Sequence, residues 1–208
     1  MRISHKHKFI FISKPKCASS SIRQALNKHS DIISGGKKPY HHHSTALMIK
    51  NHFEDMDWNF DEYYKFISVR NPWDMLVSLY YFGKPDQNSF YFWCPQYNDS
   101  ELMPFKKWIK QGISWDLRVS KWQNNFSALT LDHYILDSNK NYLVDYVMRV
   151  ENLKADLEVV SARLELAIDC PHINKTKHEE YQKHYDEETK EIVAREFQFD
   201  IKYGNYRF

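Results

Sequence analysis

One local pattern occurs twice in this chain and limits the folds that it can adopt. Residues 8–13 are a short run rich in β-favouring apolar residues, and apolar residues recur at helical spacing over 21–29. A second such run, residues 63–69, is followed by Asn71 and Pro72, which suit the N-cap and the first position of a helix. Strands that alternate with helices predict an α/β fold with a central parallel sheet flanked by helices. Ligands of such folds bind beyond the carboxyl ends of the strands.

The other elements are predicted from the same two periodicities. Residues 83–104 contain three prolines among polar and aromatic residues, which is typical of a long loop that either binds a ligand or is disordered. The further predictions are a helix over 45–53, two helices within 104–126, strands over 131–136 and 142–148 joined as a hairpin, and helices over 153–166 and 186–197.

Composition excludes several classes of protein. A chain of 208 residues can bury roughly 70% of its unfolded surface, so that it needs no disulfide or structural metal. A formal net charge of +2 creates no overall field for nucleic acid. Cys17, Cys94 and Cys170 are far apart and form no CxxC pair, which is typical of thiols in a reducing compartment. The apolar run after the basic N-terminal residues is too short for a signal peptide or a membrane span, and we expect a soluble, cytoplasmic protein.

The loop after the first strand has the features of an anion site. Residues 15–21 connect a buried strand to a helix N-terminus, where free N–H groups and the helix dipole attract phosphate. Small side chains allow a close backbone approach, Lys16 adds a positive charge, and Ser19, Ser20 and Ser21 add hydroxyl donors. The loop is not a Walker A motif, because Lys16 precedes the small residues and no Gly is present. From this segment alone, a solvated turn is an equal alternative.

A second anion site is predicted after the second strand. Arg70 ends that strand, and Ser78 lies on the next helix, roughly 9 Å along it from Pro72. A guanidinium binds a phosphate with two parallel hydrogen bonds, and a hydroxyl supplies a third. For an isolated pair of this kind, an ion pair of Arg70 with Asp74 or Glu62 would be the commoner explanation.

Taken together, the two segments resemble the sulfotransferase superfamily that uses 3′-phosphoadenosine 5′-phosphosulfate (PAPS). In that family a Pro-Lys-small-Gly-small-Ser/Thr loop holds the 5′-phosphosulfate, and an Arg followed eight residues later by Ser holds the 3′-phosphate. Residues 15–20 read Pro-Lys-Cys-Ala-Ser-Ser, and Arg70 and Ser78 stand at the family's spacing and in its order. The resemblance implies a P-loop-nucleotide-kinase-like sulfotransferase fold in a single domain over 1–208.

The similarity extends to the branch of carbohydrate sulfotransferases, such as the chondroitin 4-O- and heparan sulfate 2-O-enzymes and their bacterial relatives. The segments that carry it are 43–46, 64–66, 70–74, 149–153, 172–176, 185–188, 200–201 and 203–208. Residues 83–125 are the least similar and are interpreted as a variable insertion on the acceptor side. The resemblance therefore implies transfer of a sulfuryl group from PAPS to a hydroxyl, with 3′-phosphoadenosine 5′-phosphate (PAP) as the product and without a metal. We expect the hydroxyl to belong to a saccharide.

The resemblance also assigns roles. Lys16 would stabilise the negative charge on the sulfate and on the departing oxygen. Arg70 and Ser78 would hold the 3′-phosphate. Lys175 and Thr176 lie where the family closes a loop over the nucleotide. The 5′-phosphate would be held by the rest of the loop, which consists of Cys17, Ala18, Ser19, Ser20 and Ser21.

The acceptor hydroxyl requires a general base, and His is the side chain best matched to neutral pH. The candidates are His41, His42, His43 and His52, of which the family position favours His43. Three consecutive histidines point in different directions and do not easily converge on one metal ion.

Two positions depart from the family pattern, and two other functions stay open. Ala18 replaces the usual Gly, which is tolerated if its φ is negative. Met75 replaces an Arg that is common in the carbohydrate branch, which removes a positive charge near the 3′ site. A nucleotide kinase should show a Walker A loop and a Mg²⁺-binding acid after a strand, and neither is evident in the sequence. A non-catalytic protein with a sulfotransferase fold should have lost Lys16, Arg70 or the histidine, and all of these remain.

Overall fold

The computed structural model describes residues 1–34, 40–82, 97–98, 101–113, 126–170 and 179–208. The chain divides into two compact units. The first consists of Met1–Arg70 with Leu131–Lys175, and the second of Asn71–Thr130 with Thr176–Phe208. The single domain over 1–208 stays a prediction.

The first unit contains a five-stranded sheet in the order β3 (Ile32–Ile33), β1 (Arg2–Ser4), β2 (Phe9–Ile12), β4 (Tyr64–Val69) and β7 (Tyr146–Arg149). Strands β2, β4 and β7 are parallel to one another, whereas β1 runs antiparallel to both β2 and β3. The α/β prediction is confirmed, with the correction that the sheet is mixed. The other described strands are β5 (Tyr97–Asn98) and β6 (Glu101–Leu102).

The described helices are α1 (Ser19–Leu26), α2 (Ala46–Asp55), α3 (Pro72–Tyr80), α4 (Phe105–Lys110), α5 (Leu131–Ile135), α6 (Leu153–Leu164), α7 (Glu187–Glu196) and α8 (Gln198–Gly204). Helices α1, α2, α5 and α6 belong to the first unit, and α3, α4, α7 and α8 to the second. The predicted helices over 45–53, 153–166 and 186–197 are therefore confirmed as α2, α6 and α7 within a few residues at each end. Of the two helices predicted within 104–126, α4 is present, and residues 114–125 lie outside the described part of the chain.

The core of the first unit explains why β2 and β4 form. All four residues of β2 are fully buried, as expected for a continuous apolar run in the middle of a partly parallel sheet. Phe9, Phe11 and Phe66 pack on one face of the sheet with apolar residues of α1 and α6. This packing fixes the register in which Ile12 lies opposite Ile67.

The predicted strand over 131–136 is wrong, because this segment forms α5. Leu131, Tyr134 and Ile135 are all buried, and their i, i+3, i+4 spacing is helical in spite of their β propensity. The predicted hairpin is reduced to one antiparallel bridge between Leu136 and Tyr142. The strand predicted over 142–148 is shorter, and β7 pairs in parallel with β4 instead.

The second unit is organised around the start of α3, where the predicted cap is confirmed. The Asn71 side chain accepts a hydrogen bond from the N–H of Trp73 at 3.1 Å, and Pro72 occupies the first turn. Trp73 is buried, and its Nε1 donates to the carbonyl of Lys190 at 3.2 Å. These contacts join α3 to α7 within this unit.

Candidate active site

The loop between β2 and α1 is held in place by side chains that donate hydrogen bonds to its carbonyl groups. The hydroxyl of Ser68, on β4, donates to the carbonyl oxygen of Cys17 at 2.5 Å. Nη1 of Arg70 donates to the carbonyl oxygen of Lys16 at 3.4 Å. In a trans peptide the N–H points opposite to the C=O, so the amides of Cys17 and Ala18 are directed away from β4. The loop therefore turns amide donors to the side where an anion could bind.

The serines of this loop are not equivalent. The hydroxyl of Ser19 donates to the carbonyl of Lys14 and is thereby engaged within the protein. Ser20 is partly exposed, and its Oγ accepts a hydrogen bond from Arg23 Nη2 at 3.3 Å, which leaves its own hydrogen for a ligand. Ser21 is buried at the start of the helix. Among these hydroxyls, Ser20 is the one placed to donate to a bound oxyanion.

Two residues of the loop adopt the left-handed conformation without being glycine. Lys16 has φ 59° and Ala18 has φ 56°. A negative φ, the condition under which Ala18 could replace Gly without backbone strain, is therefore not met. A Cβ in this region clashes with the neighbouring carbonyl and costs about 1 kcal/mol or more, which the surrounding contacts must offset.

Lys14 is a part of the site that the sequence prediction missed. Its side chain is fully buried, and its Nζ lies 4.0 Å from the Sγ of Cys17, which is fully buried too. A buried ammonium is rare, since removal of its charge from water is costly unless polar partners surround it. The only sequence signal for it was a charged residue two positions after a fully apolar strand.

His43 lies in the same unit as this loop, and its hydrogen bond fixes its tautomer. Its Nδ1 lies 2.8 Å from the carbonyl oxygen of Ser13, the residue that follows β2. A carbonyl can only accept, so Nδ1 carries the hydrogen and Nε2 carries the lone pair. Burial lowers the pKa of His43 to about 3, with the charge of Arg23 acting in the same direction against this hydrogen bond. The imidazole is neutral at physiological pH, as a general base requires.

The other candidate bases are held differently. Nδ1 of His42 lies 3.1 Å from Ser34 Oγ, and burial lowers the pKa of His42 to about 4. Nδ1 of His41 accepts a hydrogen bond from the backbone N–H of His43 at 3.3 Å, and His41 is exposed. The ring of His52 lies edge-on to that of Tyr40 at 4.7 Å. Of the four, His43 is the one tied directly to the strand that leads into the anion loop.

The predicted residues of the 3′ site fall into both units. Arg70 follows β4 in the first unit, next to the loop that carries Lys16. Ser78 lies within α3 of the second unit and is 2% exposed, and Met75 on the same helix is 1% exposed. Lys175 and Thr176 lie outside the described residues.

The family follows from comparison with known proteins. A family model described as the Sulfotransferase family matches residues 1–207. This chain belongs to the sulfotransferase family. Among solved structures, the sulfotransferase is similar to the mouse sulfotransferase SULT7A1 complexed with PAP. That match has a TM-score of 0.47 and 12% identity, and it covers 96% of this chain and 85% of the mouse chain. A comparison with curated proteins gives no significant match.

Family membership confirms the predicted superfamily, whereas the carbohydrate branch stays a prediction. In the part of the chain that the structure describes, no group of three His, Cys, Asp or Glu side chains is arranged to hold a metal ion. None of the described helices is long and apolar enough to cross a membrane.

A cavity of about 480 Å³ lies at the opposite edge of the sheet in the first unit. It is lined by residues that precede or begin the strands, among them Lys8 and Lys65. Lys8 pairs with Glu62 at 2.9 Å, and Lys65 with Asp145 at 3.2 Å. Since the loop with Lys16 lies at the other end of the strands, this cavity is not the anion site that the sequence predicts.

Replacement of Ala18 tests the left-handed backbone of the loop. We expect Ala18→Gly to raise the free energy of unfolding by about 0.5–1 kcal/mol, because Gly adopts this conformation without a Cβ clash. Ala25→Gly, in the interior of α1, is the matched control and should lower it by about 1 kcal/mol or more. Urea unfolding of both variants measures the difference, and equal destabilisation by the two would contradict the assigned conformation.

The partly buried His42 and His43 predict a loss of stability in mild acid. The pKa values of His43 and His42 fall from 6.5 to about 3 and about 4 on folding. Between these values the unfolded chain binds protons that the folded chain does not, so this stability is present above pH 6.5 and is lost as the pH falls. We expect the free energy of unfolding to be about 1–3 kcal/mol lower at pH 5 than at pH 7, a range in which carboxylates stay ionised.

Urea titrations at the two pH values measure this loss in the wild type and in His43→Gln. The variant should lose clearly less stability than the wild type between pH 7 and pH 5. An identical loss in both proteins would show that His43 is not buried in its neutral form.

Proposed function

We propose that this sulfotransferase transfers the sulfuryl group of PAPS to a hydroxyl group of a carbohydrate. The observation that carries the proposal is the contact between the loop after β2 and the end of β4, where Arg70 Nη1 lies 3.4 Å from the carbonyl of Lys16. PAPS has an anionic group at each end, and two neighbouring cationic segments suit such a ligand. PAP, the nucleotide bound by the mouse sulfotransferase, is the product that this donor would leave.

The donor would be held by charge and by backbone amides. The amides of Cys17 and Ala18, the first turn of α1 and the Ser20 hydroxyl would receive the 5′-phosphosulfate. Arg70 would bind the 3′-phosphate through its guanidinium. The share of Ser78 in that site rests on its spacing from Arg70 in the sequence.

Transfer would be an in-line displacement at sulfur, in which positioning and electrostatics supply the catalysis. The acceptor oxygen forms a bond to sulfur while the bond from sulfur to the bridging oxygen breaks. Lys16 would neutralise the charge that develops on that oxygen. The acceptor proton passes to Nε2 of His43, which carries the lone pair because Nδ1 donates to Ser13. The low pKa of His43 then favours release of this proton to water.

The carbohydrate acceptor and the cytoplasmic location are parts of the same proposal. The acceptor is inferred from the sequence segments that resemble the carbohydrate branch, such as 43–46 and 70–74. The location is inferred from cysteine usage, and neither of the described cysteines, Cys17 and Cys170, forms a disulfide.

Nucleotide binding tests the donor. We expect PAP to bind at least tenfold more tightly than ADP, because a phosphate bound by Arg is worth roughly 1.5–3 kcal/mol. Arg70→Gln should abolish that preference, whereas Arg163→Gln, which removes an exposed Arg of the same unit, should retain it. Isothermal titration calorimetry with PAP, ADP and ATP gives the three affinities. Tighter binding of ATP than of PAP would favour the kinase alternative.

Transfer of labelled sulfate from PAPS to a panel of glycans tests the catalytic roles. We expect His43→Gln to lower kcat by about 10²–10⁴ while PAP affinity is retained, since a general base contributes this much. Lys16→Met should lower kcat to a similar extent, and His41→Gln should have little effect. A large loss in His41→Gln with normal activity in His43→Gln would reassign the base. PAP binding without transfer to any acceptor would favour the non-catalytic alternative.

A further inference from the structure

Arg23 is a partly buried cation beside the anion loop, and it has no role in the scheme above. It lies on α1 one turn after Ser20, and its Nη2 donates to the Ser20 hydroxyl at 3.3 Å. Its Nη1 is buried and has no hydrogen-bond partner among the described residues. A guanidinium N–H that is removed from water without an acceptor is destabilising, so an unpaired one in a native fold requires an explanation.

The surroundings of Arg23 are basic. Burial lowers the pKa of Arg23, and burial together with the charge of Arg23 lowers the pKa of Arg2 to about 10. The same charge contributes to the lowered pKa values of His42 and His43. No carboxylate of the described residues is among the main causes of these four shifts. An anion at this point would satisfy both the open hydrogen bond and the uncompensated charge.

The position of Arg23 indicates which anion this is. One neighbour, Ser20, belongs to the helix start that would receive the 5′-phosphosulfate. The charge of Arg23 also acts on His43, the residue that would take the proton of the acceptor. The anion that meets Arg23 therefore belongs where donor and acceptor react, and not to the adenosine end of the donor.

We propose that Arg23 and Ser20 form an oxyanion subsite for a sulfonate or carboxylate group at the point of transfer. The inference rests on the proposed function and deepens it. Two sources have this chemistry, namely the sulfuryl group of the donor and an acidic group of the acceptor next to the reacting hydroxyl. PAP lacks the sulfuryl group, and a neutral saccharide lacks the acid, so the two sources can be separated by binding measurements.

The experiment compares Arg23→Gln with the wild type in calorimetry, with Arg23→Lys as the variant that keeps the charge. PAP should bind to all three proteins with affinities that agree within about twofold. If the sulfuryl group is the ligand, PAPS without acceptor should bind to Arg23→Gln at least about tenfold more weakly than to the wild type. If the acceptor acid is the ligand, a uronate-containing or sulfated oligosaccharide should show that loss, while its neutral counterpart should not. Arg23→Lys should recover part of the loss in either case.

Three results would overturn the inference. The first is wild-type affinity of Arg23→Gln for PAP, PAPS and both kinds of saccharide. The second is an equal loss of affinity for PAP and for PAPS, which would indicate that Arg23 only supports the shape of the loop. The third is a loss that is the same for acidic and neutral saccharides while PAPS binds normally.

A test with inorganic sulfate separates this inference from the proposed function. Should the wild type fail to bind PAP, the proposed donor is wrong, and protection by sulfate against thermal unfolding still tests Arg23. Protection of the wild type that is clearly weaker in Arg23→Gln supports an oxyanion subsite. Equal protection of both proteins, or none of either, contradicts it.

Discussion

The parallel pairing of β2 with β4 is the constraint on which the anion loop depends. Because Ile12 lies opposite Ile67, the chain leaves both strands at the same edge of the sheet. The loop that follows β2 and the Arg70 that follows β4 are therefore neighbours, although more than fifty residues separate them in the sequence. An antiparallel arrangement of the same two strands would place them at opposite edges. The pairing itself is held by fully buried phenylalanines and isoleucines, so the hydrophobic core and the location of the site have one cause.

The sequence alone predicted those elements whose hydrophobic periodicity agrees with the residues that mark their ends. The start of α3 is an example, since Asn71 and Pro72 have the local chemistry of a helix N-terminus and the structure uses them in that way. The segment 131–136 is the opposite case. Its residues favour strands intrinsically, but their buried positions recur with a helical period, and tertiary packing decided between the two. Strand β1 was missed because a three-residue antiparallel strand carries too short a pattern to identify.

The candidate site could be predicted as a set of residues but not as an arrangement. Motif spacing indicated the loop at 15–21, Arg70 and His43, all of which lie in the first unit. Which nitrogen of His43 carries the hydrogen depends on the carbonyl of Ser13, thirty residues away in the chain. The left-handed backbone at Ala18 and the open hydrogen bond of Arg23 depend likewise on contacts from distant segments. Such features follow from the packed fold and have no local sequence signal.

The left-handed loop has a consequence for how ligand binding and local order are linked. Lys16 and Ala18 hold an unfavourable backbone conformation only while Ser68 and Arg70 grip the carbonyls between them. When the end of β4 opens transiently, these hydrogen bonds break and the loop relaxes to a backbone conformation of lower free energy. This relaxation offsets part of the free-energy cost of opening at this edge of the sheet. An anion that binds only to the closed loop shifts that equilibrium by mass action. Donor occupancy should thus slow the exchange of amide hydrogens at the ends of β2 and β4 more than elsewhere in the sheet.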